Sequence, residues 1–266
     1  MFNNIFGAAK KKKTIDPKFT MLRSAKYDQV AEAFIGGGWR SFERPMPEIF
    51  MKAVNVSAGV IMDVGANTGF YSLLAASISE KNIFSFEPNP EVADILRKNI
   101  ELNKFQDKIK FFPSAISNFV GDSLLYIPDQ SHGCIETSSS LSASFKQNHS
   151  SVIEVQSDTI DNFIFKNQRG HINELSIVKI DVEGHEEEVI QGGLRTINEF
   201  RPFLFVEILP SANFNNLNHF MKKFDYSDIV LREAGIINSE SVYFHSDGWN
   251  HVFCPRERID SLFSLN

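Results

Sequence analysis

Apolar residues recur along this chain with two different periods. Short apolar runs at about 60–64, 83–87, 108–113, 176–181 and 203–208 predict strands. Between them, 69–79, 90–103 and 184–198 read as helices. Regular alternation of this kind predicts parallel pairing with right-handed crossovers. A further helix at about 214–224 and strands at about 227–232 and 249–254 would complete the sheet. Two stretches depart from the rhythm. From 114 to 175 the pattern loosens, with short extra strands expected at Leu124–Ile127 and Val152–Val155. There Ser157-Asp158 is expected to cap a short helix over Ile160–Phe165. Before residue 56, a weak helix at Asp28–Ile35 is broken by Gly36-Gly37-Gly38-Trp39. Arg44-Pro45-Met46-Pro47 then makes a rigid turn before a second helix at Glu48–Val54. The expected organisation is an N-terminal helical cap over 1–55 and one α/β domain over 56–266, with an insertion at about 114–156. The cap is expected to lie over the ligand side of the sheet.

The most informative stretch is Ile61-Met62-Asp63-Val64-Gly65-Ala66-Asn67-Thr68-Gly69-Phe70. It reads as first strand, tight turn and first helix of an open α/β sheet, where nucleotides bind outside the carboxyl ends of the strands. The turn is Gly-x-x-x-Gly. A dinucleotide site needs a central glycine so that pyrophosphate can approach the backbone, and here that position is Asn67. No Lys-Ser/Thr pair follows to make a phosphate loop. The turn therefore suits an adenosine ligand without phosphates. The second strand ends at Glu87, 22 residues beyond Gly65, and Pro88-Asn89-Pro90 follows. A carboxylate at that spacing can accept two hydrogen bonds from a ribose diol. Taken alone, Glu87 could equally be an acidic strand end facing water.

Composition narrows the partners. A net charge of −6 and a pI near 5.7 lack the basic footprint of nucleic-acid binding. The only strong basic run, Lys10 to Lys13, reads as a solvated terminus; with Phe2, Ile5 and Phe6 it could give weak, salt-sensitive contact with a membrane surface. No apolar run approaches the ~20 residues of a spanning helix, and the N-terminus does not read as a secretory signal. Two cysteines, Cys134 and Cys254, make neither a disulfide scaffold nor a Cys-x-x-Cys site. The expected setting is cytoplasmic. The 25 phenylalanines are spread along the chain and read mainly as core.

A second block carries candidate chemistry. Ile177-Val178-Lys179-Ile180-Asp181 is an apolar strand turning polar at its carboxyl end, and Lys179 and Asp181 share one face. Val182-Glu183-Gly184-His185-Glu186 is the next turn and helix start. Glu186, Glu187 and Glu188 suit the positive end of a helix and are assigned no catalysis. Glu183 could cap that helix. Asp181, ending a buried strand, must be solvated or paired. Glu207, near the end of the fifth strand, reads equally as site residue or salt-bridge partner. Asp181, Glu183, His185 and Glu207 could instead hold a hard cation through oxygen, although no metal is assigned.

Asp63-Val-Gly-Ala-Asn-Thr-Gly69, Glu87-Pro88-Asn89, Lys179-Ile-Asp-Val-Glu-Gly-His-Glu186 and Phe205-Val-Glu-Ile208 resemble the FkbM family of S-adenosylmethionine-dependent methyltransferases. Asn250-His251-Val252-Phe253 resembles that family's closing strand. The resemblance implies a class I methyltransferase fold, a Rossmann-like, seven-stranded, mostly parallel sheet with helices on both faces. It implies O-methylation of a sugar or secondary-metabolite hydroxyl. On this reading Asp63, Gly65, Ala66, Asn67, Gly69, Glu87, Pro88, Asn89 and Asp181 bind S-adenosylmethionine, with Asp63 toward its ammonium. Asp181, with His185 or Glu183, would position and deprotonate the acceptor hydroxyl. Residues 129–150, rich in hydroxyls and including His132, are expected to gate the acceptor. The alternatives are a non-catalytic binding protein on the same fold, an enzyme acting on a peptide or other small molecule, and an NAD-dependent oxidoreductase, which the missing central glycine disfavours. Acceptor identity and oligomeric state are not written in the sequence.

Overall fold

Two helices precede the sheet in this computed structural model, which describes residues 16–23, 28–128, 138–146, 148–167 and 172–263. Helix α1 (Gln29–Gly37) starts at Asp28, whose carboxylate accepts the N–H groups of Val30 and Ala31. Helix α2 (Met46–Val56) begins earlier than expected, with Pro47 in its first turn, where no intrahelical N–H bond is lost. The basic run and the apolar residues near the N-terminus lie outside the described residues.

Strand β1 (Val60–Val64), helix α3 (Phe70–Ile78), strand β2 (Ile83–Phe86), helix α4 (Pro90–Asn103) and strand β3 (Ile109–Phe112) form the expected parallel units. The expected insertion holds β4 (Ala115–Ile116), β5 (Gly121–Pro128) and most of β6 (His149–Asp158), and the short α5 (Ile160–Asn162) follows. Then come β7 (Leu175–Ile180), α6 (Glu186–Gln191), α7 (Leu194–Phe200), β8 (Phe203–Glu207), α8 (Phe214–Phe224), β9 (Tyr226–Arg232), β10 (Gly235–Ser239), β11 (Asn250–Pro255) and α9 (Ile259–Phe263). The main sheet has the order β10-β9-β11-β8-β7-β1-β2-β3, with β11 antiparallel to both neighbours. Seven strands were expected; the eighth, β10, is a hairpin return from β9. From β1 the chain builds outward to β3, then crosses back to β7 on the other side. That makes the β1–β7 boundary the topological switch point, where open α/β sheets bind ligands.

Period-two alternation sorts the strand residues onto two cores. Ile61, Ile83, Ile177, Phe203, Phe205 and Val252 pack with α2, α3 and α9. Met62, Phe84, Val178, Leu204, Val206 and Phe253 pack with α6, α7 and α8. Helix α2 is integral to the first core: Phe50 is fully buried edge-on to Tyr71 and Phe205. Among the described residues, no helix is long and apolar enough to cross a membrane.

Three local expectations are corrected. The extra strands are longer than expected and form a separate sheet, β4-β6-β5. Strand β6 therefore runs through Ser157-Asp158, and Thr159 caps the helix instead, accepting the Asn162 N–H. The helix expected over 184–198 is two helices, broken at Gly192-Gly193. A side chain at Gly192 would lie 2.0 Å from the Ser117 carbonyl oxygen, and one at Gly193 would meet Ile160 at 3.0 Å. The insertion packs so closely there that two glycines interrupt the helix.

Candidate functional site

The first turn is shaped by what passes beneath it. Gly65 has φ 73, and a Cβ there would sit 1.8 Å from the Asp181 carbonyl oxygen. Only glycine lets the turn after β1 lie against the end of β7. Asn67 is also left-handed, at φ 52, a conformation Asn tolerates better than most residues. Gly69, at φ 101, lets the chain enter α3 against Leu96.

Glu87 ties this turn to the next. Its carboxylate accepts the Asn67 N–H at 3.0 Å and the Asn89 N–H at 2.8 Å. Burial pushes the carboxyl up to about 7, and the two backbone bonds oppose that shift. Asn89 caps α4, its side chain accepting the Glu91 N–H. Around this turn a cavity of about 200 Å³ opens at the carboxyl ends of β1, β2, β7 and β8. Gly65, Ala66, Asn67, Glu87, Pro88, Asp181, Glu183 and His185 all line it.

Of the expected site residues, Asp63, Gly69 and Asn89 are not among those lining the cavity. Asp63 is 1% exposed. One of its oxygens accepts the Ser72 hydroxyl at 2.5 Å, and the other has no hydrogen-bond partner among the described residues. Gly69 and Asn89 shape the turns from behind.

The far side of the cavity is acidic. Lys179, 3% exposed, donates to Asp181 at 3.0 Å and lies 5.0 Å from the Tyr71 ring centre. Burial alone would lower its pKa, but Asp181, Asp63 and Glu43 raise it, so Lys179 stays cationic. Glu207, also lining the cavity, is pushed up to about 10 by burial and by the charges of Asp181 and Glu183. Glu183 has φ 58 and Gly184 φ 90. Glu186 folds back to accept the Val182 and Gly184 N–H groups at 3.2 and 3.0 Å. It is therefore more than a charge on a helix end: it holds the loop that presents Glu183, and burial pushes it up to about 7. His185 does not face the cavity freely. Its Nε2 lies 2.9 Å from the Ser117 hydroxyl and its Nδ1 3.6 Å from Glu188. Burial lowers its pKa, which favours neutral imidazole.

Residues 129–137 and 147, with His132 among them, lie outside the described residues. The described part of the expected gating loop sits over the cavity. Ser139, Ser140 and Leu141 line it, Ser139 accepts from the Asn89 amide at 3.3 Å, and Ser140 donates to the Val182 carbonyl at 3.3 Å. Sequence reasoning missed Glu43 and Tyr71. Both line the cavity, and the Tyr71 hydroxyl donates to Glu43 at 2.7 Å. Neither belongs to a motif, although Tyr71 sits in the first turn of α3.

An open, mostly parallel sheet with two reversed strands, β10 and β11, a glycine turn without phosphate signature and an acid clamp after β2 define the class I methyltransferase fold. The family model described as the methyltransferase FkbM domain matches residues 63–235, well over half of the chain, and the chain belongs to that family. It is 29% identical over 153 residues to the hexuronic acid methyltransferase AglP of Haloferax volcanii, covering 56% of this chain and 55% of that protein. It is 31% identical over 68 residues to protein arginine N-methyltransferase 6 of Danio rerio, covering 26% of this chain and 19% of that one. The chain thus spans about half the length of the first relative and much less of the second. Among solved structures, an FkbM methyltransferase from Methylobacillus flagellatus aligns with a TM-score of 0.48 at 15% identity, over 74% of this chain and 43% of that one.

Proposed function

We propose that this protein is an S-adenosylmethionine-dependent O-methyltransferase acting on a hydroxyl of a glycan or related small molecule. The observation that carries this is the close-packed turn Gly65–Asn67, clamped by Glu87, opposite Asp181 across one cavity in a family-matched segment. The name of the hexuronic acid methyltransferase supports a sugar acceptor.

The residues present suit that cofactor. The adenosine edge would rest on the Gly65–Asn67 turn, and Glu87 would take the ribose hydroxyls through lone pairs not used by Asn67 and Asn89. The acidic far side suits a ligand with cationic centres. When bound, the cofactor supplies an activated methyl on a good leaving group, so the protein need only align the acceptor and collect its proton. Asp181, fastened by Lys179, would orient the acceptor hydroxyl and take that proton. His185, neutral and backed by Ser117, and Glu183 stand beside it. The 138–146 segment would help to exclude water. The compartment is taken as the cytoplasm.

A second reading has a specific observation behind it. Glu43, Asp181 and Glu183 make the cavity acidic, which suits an amine or guanidinium acceptor on a peptide. Labelled methyl transfer from S-adenosylmethionine to neutral glycans, uronic acid glycans and basic peptides separates the readings. Transfer to glycans alone supports the first. Transfer to basic peptides alone replaces it with the second.

A further inference from the structure

One of the carboxylates facing the cavity comes from outside the family-matched region. Glu43 lies in the loop between α1 and α2, well before residue 63. Its backbone is left-handed, at φ 50, which is uncommon for a residue with a side chain. Strain of this kind collects at functional sites, where the surroundings enforce it. Here the surroundings are visible. The Glu43 carbonyl accepts the Met46 N–H at 2.9 Å, which anchors the loop to the start of α2. Its carboxylate accepts the Tyr71 hydroxyl at 2.7 Å, which aims it at α3 and the switch point.

The charges around Glu43 are unbalanced. Asp63 on β1, Lys179 on β7 and Asp181 after β7 all act on it, and Tyr71 donates to it from α3. Lys179 is the one cation in that set, and it is already bonded to Asp181. The methionine end of S-adenosylmethionine carries an ammonium. Asp63 was expected to receive it, but Asp63 lies outside the cavity lining and gives one oxygen to Ser72. Glu87 marks the ribose end, at β2. Glu43 is grouped with Lys179 and Asp181 of β7, which lies on the other side of β1 from β2.

We propose that Glu43 is the carboxylate that receives the cofactor's ammonium, a cofactor ligand supplied by the segment preceding the family-matched region. The inference rests on the cofactor reading above. Tyr71 is then a positioning residue that fixes the carboxylate. An arriving ammonium offsets the negative charge around Glu43. Burial and the nearby Asp181 charge hold its carboxyl at about 7 in the unliganded protein, with Lys179 and the Tyr71 bond opposing. Ammonium binding favours the ionised form, so cofactor binding near neutral pH expels a proton from Glu43.

Calorimetric titration of the full chain with S-adenosylhomocysteine tests this. Run at pH 7 in phosphate and in Tris, which differ in ionisation enthalpy, it counts the protons released. The wild type should release protons on binding. Glu43→Gln should bind about 10- to 100-fold more weakly, on the scale of a charged hydrogen bond, and release fewer protons. Tyr71→Phe, which keeps the carboxylate, should keep the proton release. 5′-Methylthioadenosine lacks the amino-acid end, and it should bind the wild type and Glu43→Gln equally. A folding role alone would lower the fraction of competent protein while leaving affinity and protons per bound ligand unchanged, and that result overturns the proposal. Equal weakening toward both ligands also overturns it. If the wild type binds neither ligand, the cofactor reading itself falls.

Discussion

At Glu87 one carboxylate accepts N–H groups from two turns, Asn67 at 3.0 Å and Asn89 at 2.8 Å. Removing it strands both donors as well as the ribose hydroxyls. Glu87→Ala should cost about 1.5–3 kcal/mol of S-adenosylhomocysteine affinity, the range for hydrogen bonds to charged groups. Calorimetry reads that loss directly, and an unchanged affinity removes Glu87 from the site. Asp181 is expected to behave differently. It meets the acceptor, and its own position is held by Lys179 at 3.0 Å. Asp181→Asn should keep S-adenosylhomocysteine affinity within a few-fold and lower kcat by ~10²–10⁴-fold, the usual range for a lost general base. Single-turnover methyl transfer measures this. Normal turnover would pass the role to His185 or Glu183.

Elements built from strong local patterns were legible in the sequence. The strand residues Ile61 and Met62 alternate between two cores, as period two requires, and the helices expected at 90–103 and 214–224 form over Pro90–Asn103 and Phe214–Phe224. What local pattern could not show was contact at a distance. The break at Gly192-Gly193 is dictated by Ser117, in the insertion, and Ile160, just after it. The hairpin to β10 turns at Glu233-Ala234, a pair without the usual Asn-Gly signal, and Gly235 follows at φ 139. In the site, Gly65, Glu87 and Asp181 stood in motifs and line the cavity. Glu43 carried no motif, and Glu186 looked like a simple helix-end charge until its bonds to Val182 and Gly184 were seen. The Gly192 contact can be tested. Gly192→Ala, with its Cβ 2.0 Å from a backbone oxygen, should destabilise the protein by about 1–3 kcal/mol. Thermal melting would show a drop of about 2–4 °C per kcal/mol. An unchanged midpoint would mean that the insertion is not packed against α6.

Across the whole molecule, buried carboxyls set the response to pH. Glu43, Glu87 and Glu186 are pushed from 4.5 to about 7, and Glu207 to about 10, in each case first by burial. Folded pKa values above the unfolded ones mean that the native state holds protons more tightly. That stability is present in full below pH 4.5 and is lost as pH rises through the folded values. His185 and His245 are shifted down from 6.5, so their contribution runs the other way but ends near that pH. Above pH 6.5 the carboxyl effect dominates, and the Cys254 thiol, pushed up to about 12 by burial, adds a loss of the same sign as pH approaches 9. The unliganded protein should therefore melt at progressively lower temperature from pH 6.5 to 8.5, and S-adenosylhomocysteine should restore part of the loss. A midpoint that rises over that range would contradict the burial of these groups.

The central claim is that the cavity at the switch point takes S-adenosylmethionine and not a dinucleotide. Titrating the full chain with S-adenosylhomocysteine and separately with NAD, each monitored by calorimetry, tests it most directly. The account expects saturable one-to-one binding of S-adenosylhomocysteine, weakened in Glu87→Ala, and no binding of NAD. Binding of NAD in preference, or no heat with S-adenosylhomocysteine from a folded protein, would contradict it.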